Sequence, residues 1–149
     1  MYKLDSFDEA IVKVLRSEGR ISVTDLADKI GLSRTPTQIR LKNLEDRRLI
    51  KGYRAIVDPQ QIGLAHVAFV EVSLTDTRER ALSEFNDAVN KTAEIEECHL
   101  MASNFDYLLK IRTRDMSDYR RVLAEVVSGL PHLRQTSTFV VMETIRETV

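Results

Sequence analysis

Apolar residues recur at helical spacing in the first third of the chain and predict three short helices. The first stripe consists of Leu4, Phe7, Ile11 and Leu15. It ends before Gly19, a residue that favours helix termination. The second helix has Ser22 as its N-cap, Asp25 three positions later as in a variant capping box, and Gly31 at its end. Two short amphipathic helices are therefore expected before residue 32.

A third helix is predicted to begin at Ser33. Pro36 lies in its first turn, where the missing N–H has no helical partner to lose. Its inward stripe is formed by Thr37, Leu41 and Leu44. A three-residue turn that contains glycine joins the second and third helices, and this is the spacing of a helix-turn-helix.

The second half of the chain alternates between strand and helix periodicity in the order β-α-β-β-α-β. The predicted strands cover residues 66–74, 95–101, 107–113 and 133–143, and the predicted helices cover 77–91 and 115–129. This is the order of a ferredoxin-like domain, an antiparallel sheet with both helices on one face. Phe69, Phe139 and Val141 fall on the other face, and we expect a second copy of the chain to cover them in a homodimer.

Between these halves lies the β-prone run "YRAIVDPQQIG", which is closed by Asp58-Pro59 and Gly63 and reads as an exposed strand and linker. The predicted fold class is therefore α+β. The predicted domains are a helix-turn-helix domain at 1–54, a hinge strand and linker at 55–65, and a ferredoxin-like domain at 66–149.

Length and composition favour a soluble protein with its own core, since 43% of the 149 residues are hydrophobic. No run of about eighteen apolar residues occurs, and the charged start "MYKLDSFDEA" lacks the apolar stretch of a signal peptide. We expect a cytoplasmic protein without membrane association. Cys98 beside His99 falls short of a zinc ligand set, so no metal site and no cofactor are expected.

Charge is divided unevenly between the halves, although the whole chain has a net charge of −1. Residues 1–54 contain twelve Lys or Arg and eight Asp or Glu, whereas residues 55–149 contain ten and fifteen. Residues 33–54 alone carry +5. A basic segment of this kind favours contact with nucleic-acid phosphates and directs attention to the third helix.

The outward face of the third helix has the residue types that read base edges in double-stranded DNA. Gln38 can hydrogen-bond adenine, Arg40 can hydrogen-bond guanine, and Ile39 can contact a thymine methyl group. Thr35 lies on the same face, and the surrounding basic residues are expected to contact the DNA backbone. The predicted DNA-binding residues are Ser22, Ser33, Arg34, Thr35, Thr37, Gln38, Ile39, Arg40, Lys42, Arg47 and Lys51. The alternative is that Ile39 packs on a neighbouring domain and the charges only solubilise the helix.

The segment "MASNFDY", between the second and third predicted strands, is rich in small polar groups. Together with hydroxyl groups of the last strand, its carboxylate and amide can hold the amine and the carboxylate of an amino acid. An ordinary turn with local hydrogen bonds from Asn104 and Asp106 explains the same pattern. The predicted effector-binding residues are Met101, Ala102, Ser103, Asn104, Asp106, Thr136, Ser137 and Thr138.

Four segments that span nearly the whole chain carry a family resemblance: "LDSFDEAIVKVLRSEGRISVTDLADKIGLSRTPTQIRLKNLE", "IKGYRAIVDPQQIGL", "FDYLLKIRTRDMSDYRRVL" and "LPHLRQTSTFVVME". In combination they resemble the Lrp/AsnC family of bacterial and archaeal transcription regulators. The resemblance implies an N-terminal winged helix-turn-helix, a hinge strand, and a C-terminal ferredoxin-like domain. It also implies that this second domain dimerises, assembles further into octamers, and binds a free amino acid between dimers.

The resemblance also bears on the effector. The segments "RTPTQIR" and "FDYLLKIRTRDMSDYRRVL" resemble proline-responsive members that control proline catabolism, so proline is the expected ligand. Asp106 is then the natural partner of its α-ammonium group. Family members often have Thr-Gly where this chain has Ala102-Ser103, and the shape of the pocket is expected to differ accordingly.

Two other classes of function are compatible with the same elements. A small ferredoxin-like enzyme would need a catalytic constellation, but His66, His99 and His132 lie far apart and none has a triad or metal-ligand spacing. A ligand-sensing protein whose helical module binds protein would associate with DNA weakly and without salt dependence, because it would make no phosphate contacts.

Overall fold

The computed structural model describes residues 3–147, and the chain divides into two compact units, Met1–Ile56 and Val57–Val149. The first unit contains α1 (Ser6–Ser17), α2 (Val23–Ile30) and α3 (Arg34–Asp46). The second contains β1 (His66–Leu74), α4 (Glu79–Val89), β2 (Ile95–Leu100), β3 (Tyr107–Thr113), α5 (Met116–Glu125), a short 3-10 helix (Val127–Gly129) and β4 (Leu133–Val140). The predicted fold class is confirmed.

The two helices of the helix-turn-helix are delimited by the residues that the sequence indicated. The Ser22 hydroxyl accepts a hydrogen bond from the Asp25 N–H at 3.1 Å and donates one to the Asp25 carboxylate at 2.7 Å, which closes the capping box. Gly31 ends α2 in the left-handed conformation, with φ of 72°. Ile11, Leu26 and Leu44, one residue from each helix, form the buried core of this unit.

The buried face of α1 differs from the prediction at one turn. Phe7 was expected on the inward stripe, but it is 37% exposed, whereas Asp8 is only 3% exposed. A carboxylate can take this position because Arg40 of α3 neutralises it with a hydrogen bond of 2.8 Å. Asp5 caps the helix, and its Oδ1 accepts from the backbone N–H groups of Phe7 and Asp8 at 3.0 and 2.9 Å.

The predicted hinge strand is not formed in the single chain, since residues 47–65 contain no helix and no strand. Tyr53, Ile56 and Val57 in this run are 51%, 72% and 53% exposed. A β-prone sequence forms a strand only when another strand satisfies its backbone hydrogen bonds, and residues 47–65 have no neighbouring strand to pair with.

The second unit has the predicted antiparallel sheet, with strand order β2-β3-β1-β4. β1 pairs with β3 on one side and with β4 on the other, and β2 pairs with β3. The two central strands are the most apolar because helices cover one of their faces. The ring of Phe85 on α4 packs against the Tyr107 ring of β3, with their centroids 4.5 Å apart.

The opposite face of the sheet is open and mixed in character. Phe69 lies between Lys110 of β3 and Phe139 of β4 in the strand register, and Phe139 is 53% exposed. Residues 143–147 lie across part of this face and border a groove of about 510 Å³. Glu147 forms ion pairs there with Lys110 and Arg112, so the tail covers the charged side of the face, whereas Phe139 remains exposed.

Candidate DNA interface and effector region

The outward face of α3 presents a compact set of exposed side chains. They are Arg34, Thr35, Gln38, Ile39 and Lys42. Ile39, at the centre of this face, is 58% exposed. Among residues 3–147, neither Arg34 nor Lys42 takes part in an ion pair, so both charges are available to an external anion. The face combines an amide, an apolar contact and two cations, which is the chemistry of major-groove reading.

Thr37 does not belong to this face. It is fully buried, and its Oγ1 donates a hydrogen bond to the Ser33 carbonyl oxygen one turn earlier, at 3.0 Å. The prediction that it contacts DNA is wrong. Its place on the inward stripe with Leu44 is confirmed, because the hydroxyl is satisfied inside the helix and the methyl group packs inward.

Arg40 also has another role than the predicted contact with guanine. Its Nη1 donates to the Asp5 Oδ2 at 2.7 Å and to the Asp8 Oδ1 at 2.8 Å, and its guanidinium lies 5.4 Å from the centre of the Phe7 ring. These hydrogen bonds, first to Asp8 and then to Asp5, raise the pKa of Arg40. The side chain is held against α1 within the unit.

Two serines stand at helix N-termini, where backbone N–H groups favour an anion. Ser22 is exposed, but its hydroxyl is occupied by the capping box with Asp25. Ser33 is the N-cap of α3 and forms no side-chain capping bond, so its exposed hydroxyl can turn to an external partner. Of the two, Ser33 has the better geometry for a phosphate contact.

The basic residues after α3 lie on a chain that folds back to that helix. Arg47 is the C-cap of α3, and Lys51 lies close to Tyr53 and Glu45 around one small groove. The Tyr53 hydroxyl donates to the Glu45 Oε1 at 2.8 Å, and desolvation together with this carboxylate raises the pKa of Tyr53 to about 12. The contact keeps the basic segment near the end of the helix. Arg47 and Lys51 are both exposed.

Sequence reasoning missed Asn43 on α3. It is exposed and follows Ile39 by four positions, so it extends the outward face toward the end of the helix. An amide side chain can bond adenine in the same bidentate manner as Gln38. Helical projection of the sequence already contained this signal.

Asp106 is committed to the fold of the second unit. Its Oδ2 accepts from the Leu74 N–H at 2.7 Å, its own N–H donates to the Val72 carbonyl at 2.9 Å, and its carbonyl accepts from the Met101 N–H at 2.8 Å. These bonds attach the hairpin between β2 and β3 to the end of β1. The Ser103 hydroxyl donates a hydrogen bond to the Oδ1 of the neighbouring Asn104 at 2.9 Å, and Ala102, Ser103 and Asn104 are exposed.

The hydroxyl groups of β4 do not join this hairpin within one chain, because β1 lies between β4 and β3. Thr136 and Thr138 pair with Val72 and Val70 and share the helix-covered face, whereas Ser137 pairs with Glu71 on the open face. The Thr138 Oγ1 also lies 2.5 Å from the Tyr119 hydroxyl of α5. The eight predicted effector-binding residues therefore form two separate groups in a single chain.

The three histidines have separate partners. His66 bonds Thr113, His99 contacts Glu97, and His132 contacts Glu84. Within residues 3–147, no three His, Cys, Asp or Glu side chains are grouped so as to hold a metal ion. Over the same residues, no helix has the length and apolar character needed to cross a membrane.

A three-helix module with an exposed basic third helix is followed in the chain by a ferredoxin-like domain. Residues 4–51 match the family described as winged helix-turn-helix DNA-binding, and residues 67–149 match the family described as Lrp/AsnC ligand binding domain. The family matches of the two parts show a DNA-binding transcriptional regulator with an amino-acid-binding domain. The chain belongs to the Lrp/AsnC family.

Full-length relatives support this placement. The chain is 55% identical to the proline dehydrogenase transcriptional activator of Rhizobium radiobacter, over 97% of this chain and 93% of the relative. It is 47% identical to the protein of the same name from Rhodobacter capsulatus, over 97% and 94%. Identity to the leucine-responsive regulatory protein of Escherichia coli K12 is 42%, over 97% and 88%.

Solved structures agree with the fold. A transcriptional regulator of Neisseria meningitidis in complex with L-Met superposes with a TM-score of 0.91 at 28% identity, covering 98% of this chain and 94% of that one. An AsnC family regulator of Agrobacterium tumefaciens gives the same TM-score and identity, covering 97% and 94%.

Proposed function

We propose that this regulator activates transcription of a proline dehydrogenase gene and that free proline is its effector. The observation that carries the proposal is the 55% identity, over nearly the full length of both chains, to a proline dehydrogenase transcriptional activator. A second relative of that name, at 47% identity, supports it, and the identity to a leucine-responsive protein is lower.

DNA is read by the exposed face of α3. Thr35, Gln38 and Ile39 contact base edges in the major groove, while Arg34 and Lys42 hold the phosphates on either side. Ser33, Arg47 and Lys51 add contacts to the DNA backbone, whereas the Ser22 hydroxyl is occupied by Asp25. Thr37 and Arg40 are left out of this set because the first is buried and the second is bound to α1.

Two copies of the chain act together. The aromatic pair on the open face, the partly buried Phe69 and the exposed Phe139, is covered by the same face of a second copy, and the dimers assemble further into octamers. A dimer presents two copies of α3, so its operator has two half-sites separated by about one turn of DNA or a multiple of it.

Effector binding uses the exposed hairpin residues at a contact between dimers. Because the hairpin and β4 lie on opposite sides of β1, one chain alone does not complete the pocket, and the hydroxyl groups come from another protomer. Proline at this contact changes assembly, and by linkage DNA binding changes the affinity for proline by the same factor.

A reporter gene placed behind the DNA upstream of the proline dehydrogenase gene tests this function in cells that lack the chromosomal copy of the regulator. Supplying the intact chain should raise expression, and added proline should raise it further. A Gln38→Ala, Ile39→Ala double variant should abolish activation because it removes base contacts from an exposed surface. Expression that responds to leucine and not to proline would reject the effector, and no response to the regulator would reject the target.

A further inference from the structure

Arg40 links the recognition helix to the first turn of α1 through a small network. One nitrogen, Nη1, bonds both Asp5 and Asp8, and the guanidinium lies over the Phe7 ring. Asp5 has two tasks, since its Oδ1 caps α1 while its Oδ2 binds Arg40. A shift of α3 relative to α1 would break contacts at both ends of the network.

The network is more than a surface ion pair. The Asp8 side chain is only 4% exposed, and the Arg40 side chain is 31% exposed. Such a buried carboxylate needs a permanent positive partner, and a planar guanidinium provides several fixed donors. The hydrogen bonds that the Asp5 carboxylate accepts from the backbone of α1 and from Arg40 lower the pKa of Asp5, so Asp5 stays ionised at neutral pH.

The position of Arg40 on α3 gives this network a functional consequence. Arg40 directly follows Gln38 and Ile39, whose side chains point outward, while its own side chain turns toward α1. The direction of the reading side chains therefore depends on how α3 is oriented against α1. A displacement of about 1 Å is enough to lose a bidentate hydrogen bond to a base, because such bonds weaken steeply with distance and angle.

We propose that Arg40 is a positioning residue for DNA recognition: it fixes the orientation of α3 through Asp5 and Asp8, sets which bases the helix can read, and contacts no DNA itself. This inference rests on the proposed use of the exposed face of α3 to read DNA. A positioning role of Arg40 can be distinguished by experiment from a direct contact with a phosphate or a base. If Arg40 positions α3, sequence discrimination depends on Asp5 and Asp8, two acidic residues that DNA repels and that cannot themselves bind it.

The test uses the full chain and a duplex that the wild-type protein selects from a random-sequence library, with a scrambled duplex of the same composition. The two quantities are the ratio of the two affinities and the slope of log affinity against log salt. Asp5→Asn keeps the helix cap, because asparagine is an equally good N-cap, but removes one of the two carboxylate charges that bind Arg40. Arg40→Gln removes the positive charge that binds both Asp5 and Asp8.

Both variants should lower the affinity ratio by about tenfold or more while the salt slope stays unchanged. Glu9→Gln is the matched control for the lost negative charge, since Glu9 is exposed in the same turn of α1, and its ratio should stay at the wild-type value. Arg34→Gln is the control for a phosphate contact, and it should reduce the slope by about 0.9. Thermal unfolding of each variant identifies any that fail to fold.

An unchanged ratio in Asp5→Asn overturns the proposal, and that variant decides the question alone if Arg40→Gln does not fold. A salt slope that falls by about 0.9 in Arg40→Gln also overturns it, because Arg40 would then contact a phosphate. If the wild-type protein selects no sequence from the library, both the proposed DNA-reading face of α3 and the positioning role of Arg40 are rejected. If the affinity ratio is normal in Gln38→Ala but reduced in Asp5→Asn, only the proposed base contact of Gln38 is rejected.

Discussion

At the scale of single residues, the structure separates polar side chains that hold the fold together from those left to meet other molecules. Arg40 and Asp106 carry the charges that base reading and amine binding need, yet each forms hydrogen bonds inside its own unit. Gln38 and Lys42 are exposed on the same helix as Arg40. Residue type and spacing do not distinguish these cases, because the partners of Arg40 lie more than thirty positions away.

Removal of the Asp106 carboxylate should destabilise the second unit. Asp106→Ala leaves the Leu74 N–H without its charged acceptor, and we expect a loss of about 1.5–3 kcal/mol in the free energy of unfolding. Ser103→Ala, in the same hairpin but exposed, should change it by less than about 0.5 kcal/mol. Urea denaturation measures both variants, and equal effects would contradict a structural role for Asp106.

Asp76 should titrate at unusually low pH. The side chain and backbone of Arg78 bond its carboxylate and lower its pKa from 3.8 to about 2. Because the pKa is depressed in the folded chain, the stabilisation is present above about pH 4 and is lost as pH falls toward 2. In Arg78→Ala the pKa should move part of the way back to 3.8, since the backbone bond remains. A carboxyl NMR titration that shows no such movement, with Arg80→Ala as control, would contradict the assignment.

At the scale of elements, the turn of the helix-turn-helix depends on one backbone conformation. Gly31 has a φ of 72°, which side chains disfavour, although no atom lies within 4 Å of the position a Cβ would take. Gly31→Ala should therefore destabilise the first unit by about 1–2 kcal/mol through backbone strain alone. Gly19→Ala is the control, because Gly19 has no such φ and its Cβ would meet the Leu15 carbonyl oxygen at an ordinary 3.7 Å. Thermal unfolding that gave equal losses would contradict this account.

The sequence was sufficient to predict most elements because periodicity and capping are local signals. Ser22, Gly31 and the order of helices and strands along the second unit are as the local patterns predicted. Local patterns wrongly predicted a hinge strand within residues 47–65, because no other strand lies beside these residues to pair with them. They also misplaced Phe7 and Asp8, because the positions of these residues on α1 depend on Arg40. The sequence alone predicts the outward face of α3. It does not distinguish residues that contact bases from residues that position the helix, because that distinction depends on contacts between helices.

At the scale of the whole molecule, assembly should depend on the aromatic pair of the open face. Phe139→Asp places a charge beside Phe69 where a second copy is expected to pack, and desolvating that charge opposes association. Sedimentation should show a smaller species than the wild type. Ser83→Asp adds the same charge on an exposed position of α4 and should leave the assembly unchanged. An unaltered sedimentation coefficient for Phe139→Asp would place the interface elsewhere.

The most direct test of an amino-acid-responsive DNA reader is fluorescence anisotropy of the full chain on its selected duplex, over a salt series, with each of the amino acids in turn. We expect log affinity to fall steeply with log salt, with a slope of about 0.9 for each phosphate contact, and proline to shift the affinity more than any other amino acid. Binding that is insensitive to salt, or that no amino acid alters, would contradict this expectation.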